Sequence, residues 1–237
     1  MFGTLLNMLT VLIGGTIGLL VGARLPERVR QTVIAGLGLF TAAIGFQMFL
    51  DSENPIIVLT SLLIGGILGE WLRIEDGLRN LGGFFERKFI KNPQNQQGSR
   101  FIHGFLTASL VFCVGPMTIL GAIQDGLTGD YSLLAIKSVL DGFAAMAFAS
   151  SLGVGVLFSI AVIFAYQGGI SLLAAQAQAL TTPAMMNEMN AAGGVLLIGI
   201  AISSLLEIKS IRVGNFLPAL LIAPLIVAIL AALNISL

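Results

Sequence analysis

Cysteine, histidine and charge are all scarce in this chain of 237 residues, and each scarcity closes off a class of function. A single cysteine, Cys113, has no partner for an internal disulfide, and a single histidine, His103, leaves too few ligands for structural zinc or haem. No cofactor and no metal is expected. The 12 Lys or Arg balance the 12 Asp or Glu, and no block of five or more basic residues offers a grip on nucleic acid. HExxH, the GxSxG elbow and the Walker lysine are all missing, which removes the common hydrolase and nucleotide-site readings. An intramembrane aspartyl protease needs two acids converging in the bilayer. Asp125 would lie at the outer edge, away from Asp141, and the GxGD context is absent, so no enzyme is expected.

What the chain has instead is apolar residues, 56% of the total, and a mean hydropathy of +0.97. That composition excludes a soluble globule and predicts an all-α polytopic membrane protein. A crossing needs roughly 20 apolar residues. Eight windows qualify, near 4–23, 31–50, 56–73, 102–124, 132–151, 153–175, 191–208 and 215–235. They lack the apolar/polar alternation of a β-barrel. The fifth and sixth windows are separated only by the uncharged string SSLGVG, but one helix over both would be about 66 Å long, twice the bilayer. The first window, MFGTLLNMLTVLIGG, has no basic n-region and reads as a retained span rather than a signal peptide.

The placement of charge agrees with this count. Arg24, Arg28 and Arg30 follow the first window; Arg73, Arg79, Arg87, Lys88, Lys91 and Arg100 follow the third; Lys209 and Arg212 follow the seventh. The intervening loops carry acids, namely Asp51 and Glu53, Asp125 and Asp130, then Glu188. Basic loops stay in the cytoplasm, which puts both termini outside. The cytoplasmic loop 74–101 divides into an interfacial helix over 74–91, with Leu78, Leu81, Phe85 and Phe89 on one face, and a polar linker over 92–99.

An internal repeat is visible. GTLLNMLTVLIGGTIGLLV from Gly3 aligns with GVLFSIAVIFAYQGGISLLAA from Gly155, and the match continues loosely through Pro26 with Pro183 and Gly36 with Gly193. Spans one to three would recur as spans six to eight, and a displacement of five crossings inverts the copy, as in many secondary transporters.

Spans four and five stand outside that repeat and hold the least lipid-like residues. Gly115-Pro116 falls in mid-membrane, where proline should kink or break the helix and expose backbone groups. Lys137 and Asp141 are four residues apart on one face of span five, with Asp141 near the midplane. An ionised Asp costs about 2.5–3.5 kcal/mol at that depth, so it must be neutral, paired or facing water. Gln124 and Asp125 end span four and either line a vestibule or cap the helix. Asn7 and Gln167 either face a cavity or bond between helices. Gly14, Gly18 and Gly22 form a GxxxGxxxG stripe suited to close packing within or between protomers.

The strings CVGPMTILGAIQDGLTGD, at 113–130, and KSVLDGFAAMAFASSLGVG, at 137–155, resemble those of the YqgA/YdfK-like bacterial inner-membrane proteins, a domain family of unknown function. The resemblance extends to the N-terminal GTLLNMLTVLIGGTIGLLVG. It implies a bacterial cytoplasmic membrane address and supplies no substrate or catalytic residue. The expected function is a secondary transporter of a small polar or ionic solute, coupled to H+ or Na+, with lipid as its surroundings and a homodimer as one possible assembly. A channel and a non-transporting scaffold or signalling protein are the alternatives. Topology reporters fused to each terminus should both report an extracytoplasmic location; a cytoplasmic C-terminus would mean that one span is miscounted, most readily at Ser150 to Gly155.

Overall fold

The computed structural model describes residues 1–24, 26–89, 95–174 and 182–233, and every regular element among them is helical. The helices are α1 (Phe2–Gly22), α2 (Glu27–Phe49), α3 (Pro55–Leu72), α4 (Ile74–Phe89), α5 (Asn95–Cys113), α6 (Pro116–Thr128), α7 (Ser132–Leu152), α8 (Gly155–Leu172), α9 (Pro183–Ile200) and α10 (Ala219–Ala232). A π-helical turn, Ala201–Leu205, prolongs α9, and a 3-10 turn, Val213–Phe216, leads into α10. Seven helices are long and apolar enough to cross a bilayer, α9 and α10 counted with these turns, and α5 with α6 forms an eighth crossing bent by 63° if the pair is one span. The chain is an all-α polytopic membrane protein. Its acidic end carries the starts of α1, α3, α7 and α9; its basic end carries the opposite termini.

Local chemistry sets the boundaries. Asn54 and Thr182 cap α3 and α9 through Ile56 N and Met185 N, each followed by a proline at the first helical position. Gly153, at φ +87°, turns the chain between α7 and α8, so the two windows joined by the uncharged string are separate helices. Two boundaries differ from expectation. The seventh span starts at Pro183 rather than near 191, because Glu188 is hydrogen-bonded by three donors and so is buried in the helix instead of solvated in a loop. The polar linker is shorter than expected, since α5 begins at Asn95. The interfacial helix is present as α4, but its Phe85 ring meets Phe105 and Phe158 at centroid distances of 6.1 and 5.4 Å, so part of that face packs on protein. The Phe89 side chain lies outside the described residues.

Helices cannot be driven together by apolar burial inside lipid, so close backbone approach must do it. The glycine stripe of α1 lies on the backbone of α7: a Cβ at Gly14, Gly18 or Gly22 would sit 2.0, 2.2 or 2.3 Å from the carbonyl oxygens of Gly142, Met146 and Ser150. Partners advance by four as the glycines do, so the two helices run parallel. The stripe therefore works within one protomer. Gly45 of α2 and Gly194 of α9 cross reciprocally, a Cβ on either meeting the other's carbonyl at 2.5 and 2.4 Å. Large apolar side chains such as Leu20, Phe40, Ile67, Trp71 and Phe143 face outward, as lipid contact requires.

Gly18→Leu should separate α1 from α7 and destabilise the protein by more than about 3 kcal/mol, because a side chain would have to displace backbone rather than another side chain. Gly36→Ala, where an added Cβ meets nothing within 4 Å, should stay within about 1 kcal/mol of the parent or gain slightly. Unfolding midpoints in detergent compare the two.

Candidate functional site

Five buried polar side chains meet between α1, α7 and α8: Thr4, Asn7, Lys137, Asp141 and Gln167. Helical spacing brings them together. On α1, Thr4 and Asn7 continue the face that carries Val11, Gly14 and Gly18, so the contact with α7 becomes polar toward the acidic end. On α7, Lys137 and Asp141 lie one turn apart on that same interface. On α8, Gln167 shares a buried face with Ser159 and Ile163.

The bonds form one chain. Lys137 Nζ donates to Asp141 Oδ2. Asn7 Nδ2 donates to the same oxygen at 3.0 Å and to Gln167 Oε1 at 3.1 Å. Gln167 Nε2 donates to Thr4 Oγ1 at 3.3 Å. Asn7 Oδ1 is buried with no partner, while 12% of the Asp141 side chain stays accessible. The cluster therefore holds an ion pair, one unsatisfied acceptor and a carboxylate with some open surface.

The fourth crossing breaks beside it. Gly115 takes φ +134°, ψ +149°, a conformation closed to side-chain-bearing residues, and Pro116 starts α6 without an N–H to give to the Phe112 carbonyl. The Thr118 hydroxyl donates to that carbonyl instead, at 3.3 Å. Both halves of the broken crossing pack on α7, the helix that carries the pair. The expected break and the expected charged pair thus lie on adjoining helices.

The other candidates lie apart. Gln124 Nε2 donates to Asp130 at 2.7 Å in the α6–α7 turn, where the Ser132 hydroxyl and N–H, helped by Gln124, hold the Asp130 carboxyl below its ordinary range. Asp125 accepts from Gly3 N at 3.1 Å and from the Met1 amine at 2.8 Å, so it fixes the start of α1 rather than lining a vestibule. Glu188 accepts from Ser52 Oγ, Glu53 N and Asn54 N at 2.8 to 2.9 Å and fixes the start of α3. His103 lines a cavity of about 250 Å³ at the basic end with Glu75, Arg79, Ser203 and Ser204. Among the described residues no group of three His, Cys, Asp or Glu could hold a metal ion. Sequence reasoning missed Thr4, although its spacing from Asn7 and Val11 signals a shared face.

Fold and cluster together define a multi-pass membrane protein with a charged pair buried in its bundle. The chain belongs to the family described as "Protein of unknown function (DUF554)", whose model matches residues 2–228. It is 31% identical to the uncharacterized membrane protein YdfK of Bacillus subtilis over 239 residues, 99% of each chain. It is 36% identical to the uncharacterized protein YqgA of Escherichia coli over 222 residues, 93% of this chain and 94% of that one. No solved structure matches it significantly.

Removing one partner of the buried pair leaves a charge without compensation. Lys137→Ala should cost about 3–5 kcal/mol of stability. The double variant Lys137→Met, Asp141→Asn should recover most of it, since the neutral pair needs no counter-charge. Unfolding of the three proteins in detergent measures this, and a single-variant loss below about 1 kcal/mol would mean that the pair is not buried in charged form.

Proposed function

We propose that this protein is a secondary transporter of a small polar or ionic solute across the bacterial cytoplasmic membrane, coupled to H+ or Na+ at Asp141, and that it has no enzymatic activity. One observation carries the reading. Of the four buried acids among the described residues, Glu75, Asp125 and Glu188 accept backbone N–H bonds, whereas the recorded donors to Asp141 are the side chains of Lys137 and Asn7. Side-chain donors can move aside for an arriving cation without unwinding a helix. Lys137 then acts as a resident counter-ion that the coupling ion displaces. The unsatisfied Asn7 Oδ1 supplies a further ligand oxygen beside it.

Alternating access through an inverted repeat belongs to the same proposal. It is supported by the pairing of each expected counterpart in antiparallel contact. Thr4 lies near Gly168 and Gly15 near Leu157 for α1 and α8; Gly38 meets Leu205 and Gly45 meets Gly194 for the second pair; Gly65 meets Ala219 and Gly69 meets Asn215 for the third. A two-fold axis in the membrane plane makes counterpart helices antiparallel, which this arrangement fits. The basic end faces the cytoplasm in this reading, following the positive-inside rule, and both termini face outward. The relative from Bacillus subtilis, described as a membrane protein, supports a membrane location.

Proteoliposomes with a trapped pH-sensitive dye, or with external 22Na+, test the proposal against a panel of amino acids and small organic acids. At least one solute should drive stoichiometric ion movement against its own gradient. Asp141→Asn, tested alone and together with Lys137→Met so that no buried charge is left uncompensated, should reduce that movement to the level of empty liposomes while the double variant stays folded. Flux that only dissipates gradients would make the protein a channel, and normal coupling in Asp141→Asn would return the pair to a structural role.

A further inference from the structure

We propose that Arg30 and Arg100 form a binding site for a phosphate-type oxyanion at the basic end, separate from the Asp141 cluster and independent of the transport reading. Arg30 lies in the first turns of α2 and Arg100 near the start of the fourth crossing. Both line two adjoining cavities of about 450 and 620 Å³, the first bounded by the Ala149–Val154 turn and the second by α2, His103 and Leu205–Glu207. Two guanidiniums thus flank a shared space.

Their own partners leave both under-used. Arg30 Nη2 pairs with Glu27 at 2.5 Å, and Arg100 Nη2 donates to the neutral Ser151 carbonyl at 2.8 Å. The Nε of each is buried without an acceptor. Beneath Arg100 the chain turns at Gly153, where a Cβ would lie in ordinary contact with Nε at 3.6 Å, so the turn sits directly against the guanidinium.

Chemistry selects the ligand. A guanidinium binds oxyanions bidentately through its planar fork. A tetrahedral phosphate presents oxygens in several directions and can accept forks from two helices at once, whereas a carboxylate offers two oxygens in one plane. Glu27 and Glu207 also line the larger cavity and reduce its net positive charge, which favours a singly charged phosphate over a dianion. A phospholipid head group and free inorganic phosphate share this chemistry.

The experiment uses the full chain in neutral detergent and in nanodiscs. Unfolding midpoints are compared in sodium phosphate and in sodium chloride of equal ionic strength. They are compared again in phosphatidylcholine discs with and without phosphatidylglycerol, while native mass spectrometry counts retained lipid. A saturable gain with phosphate identifies a soluble-ion site; a gain and retained lipid with phosphatidylglycerol alone identify a head-group site. In either case Arg30→Gln and Arg100→Gln should weaken the effect about ten-fold, the loss of one charged hydrogen bond, whereas Arg87→Gln on exposed α4 should leave it unchanged. Should Arg100→Gln not fold, Arg100→Lys keeps the charge and removes the fork, and it should weaken binding likewise. The proposal is overturned if neither anion stabilises the parent protein, or if the effect persists undiminished in both arginine variants.

Discussion

The parallel contact of α1 with α7 is the constraint on which the site depends. In lipid, two apolar helices gain little by hiding side chains from each other, so association rests on packing density and on interhelical hydrogen bonds. Gly14, Gly18 and Gly22 let α1 approach until its glycines touch the carbonyls of Gly142, Met146 and Ser150. At that separation the same face of α1, two turns nearer the acidic end, brings Asn7 onto Asp141, the residue before Gly142, at 3.0 Å. With a bulkier stripe, Asn7 would stand too far off to donate. Backbone contact and polar contact are thus two stretches of one interface, the first fixing the distance that the second requires.

That interface also tolerates a charge pair. Each buried ion loses several kcal/mol of solvation, which mutual attraction offsets only where geometry is good and further hydrogen bonds are present. Lys137 and Asp141 sit one turn apart on a single helix, so their separation is set by the helix and needs no tertiary adjustment. Asn7 adds a second donor and passes the network to Gln167 on α8 and back to Thr4 on α1. Three helices therefore register against one carboxylate.

Much of this was legible before any coordinates, and the parts that were not have a common cause. Hydropathy and the alternation of basic loops give the span pattern because lipid imposes both on the sequence directly. Spacing alone shows that Lys137 and Asp141 share a face, and that Gly115-Pro116 interrupts a span, because each is a property of one segment. Contacts between segments are a different matter. Nothing in the string around Asn7 says that Asp141 lies opposite, since that depends on which helix α1 packs against. Glu188 was assigned to a loop for the same reason: a lone acid looks solvated until the three donors from residues 52–54 are brought beside it. Asp125 likewise seemed free to line a vestibule until the start of α1 occupied it.

Those misplaced acids follow a rule that sharpens the reading of Asp141. A helix or turn begins with unpaired N–H groups and a positive dipole end, and a carboxylate satisfies both. Asp125 takes Gly3 N at the start of α1, Glu188 takes the N–H groups of residues 53 and 54 before α3, and Glu75 takes Gly214 N in the turn before α10. Each is locked, because releasing the acid would strand backbone donors inside the protein at about 1–3 kcal/mol apiece. Asp141 lies in the middle of α7, where the backbone N–H groups are already used by the helix, so side chains must neutralise it. Lys137 carries three donors on a flexible stem and can rotate away. In the proposed transport reading a cation or proton reaching Asp141 would replace Lys137 charge for charge, whereas at the other three acids it would compete with backbone donors that cannot move. The difference between a fixed acid and an exchangeable one therefore lies in what donates to it, and burial alone does not separate them.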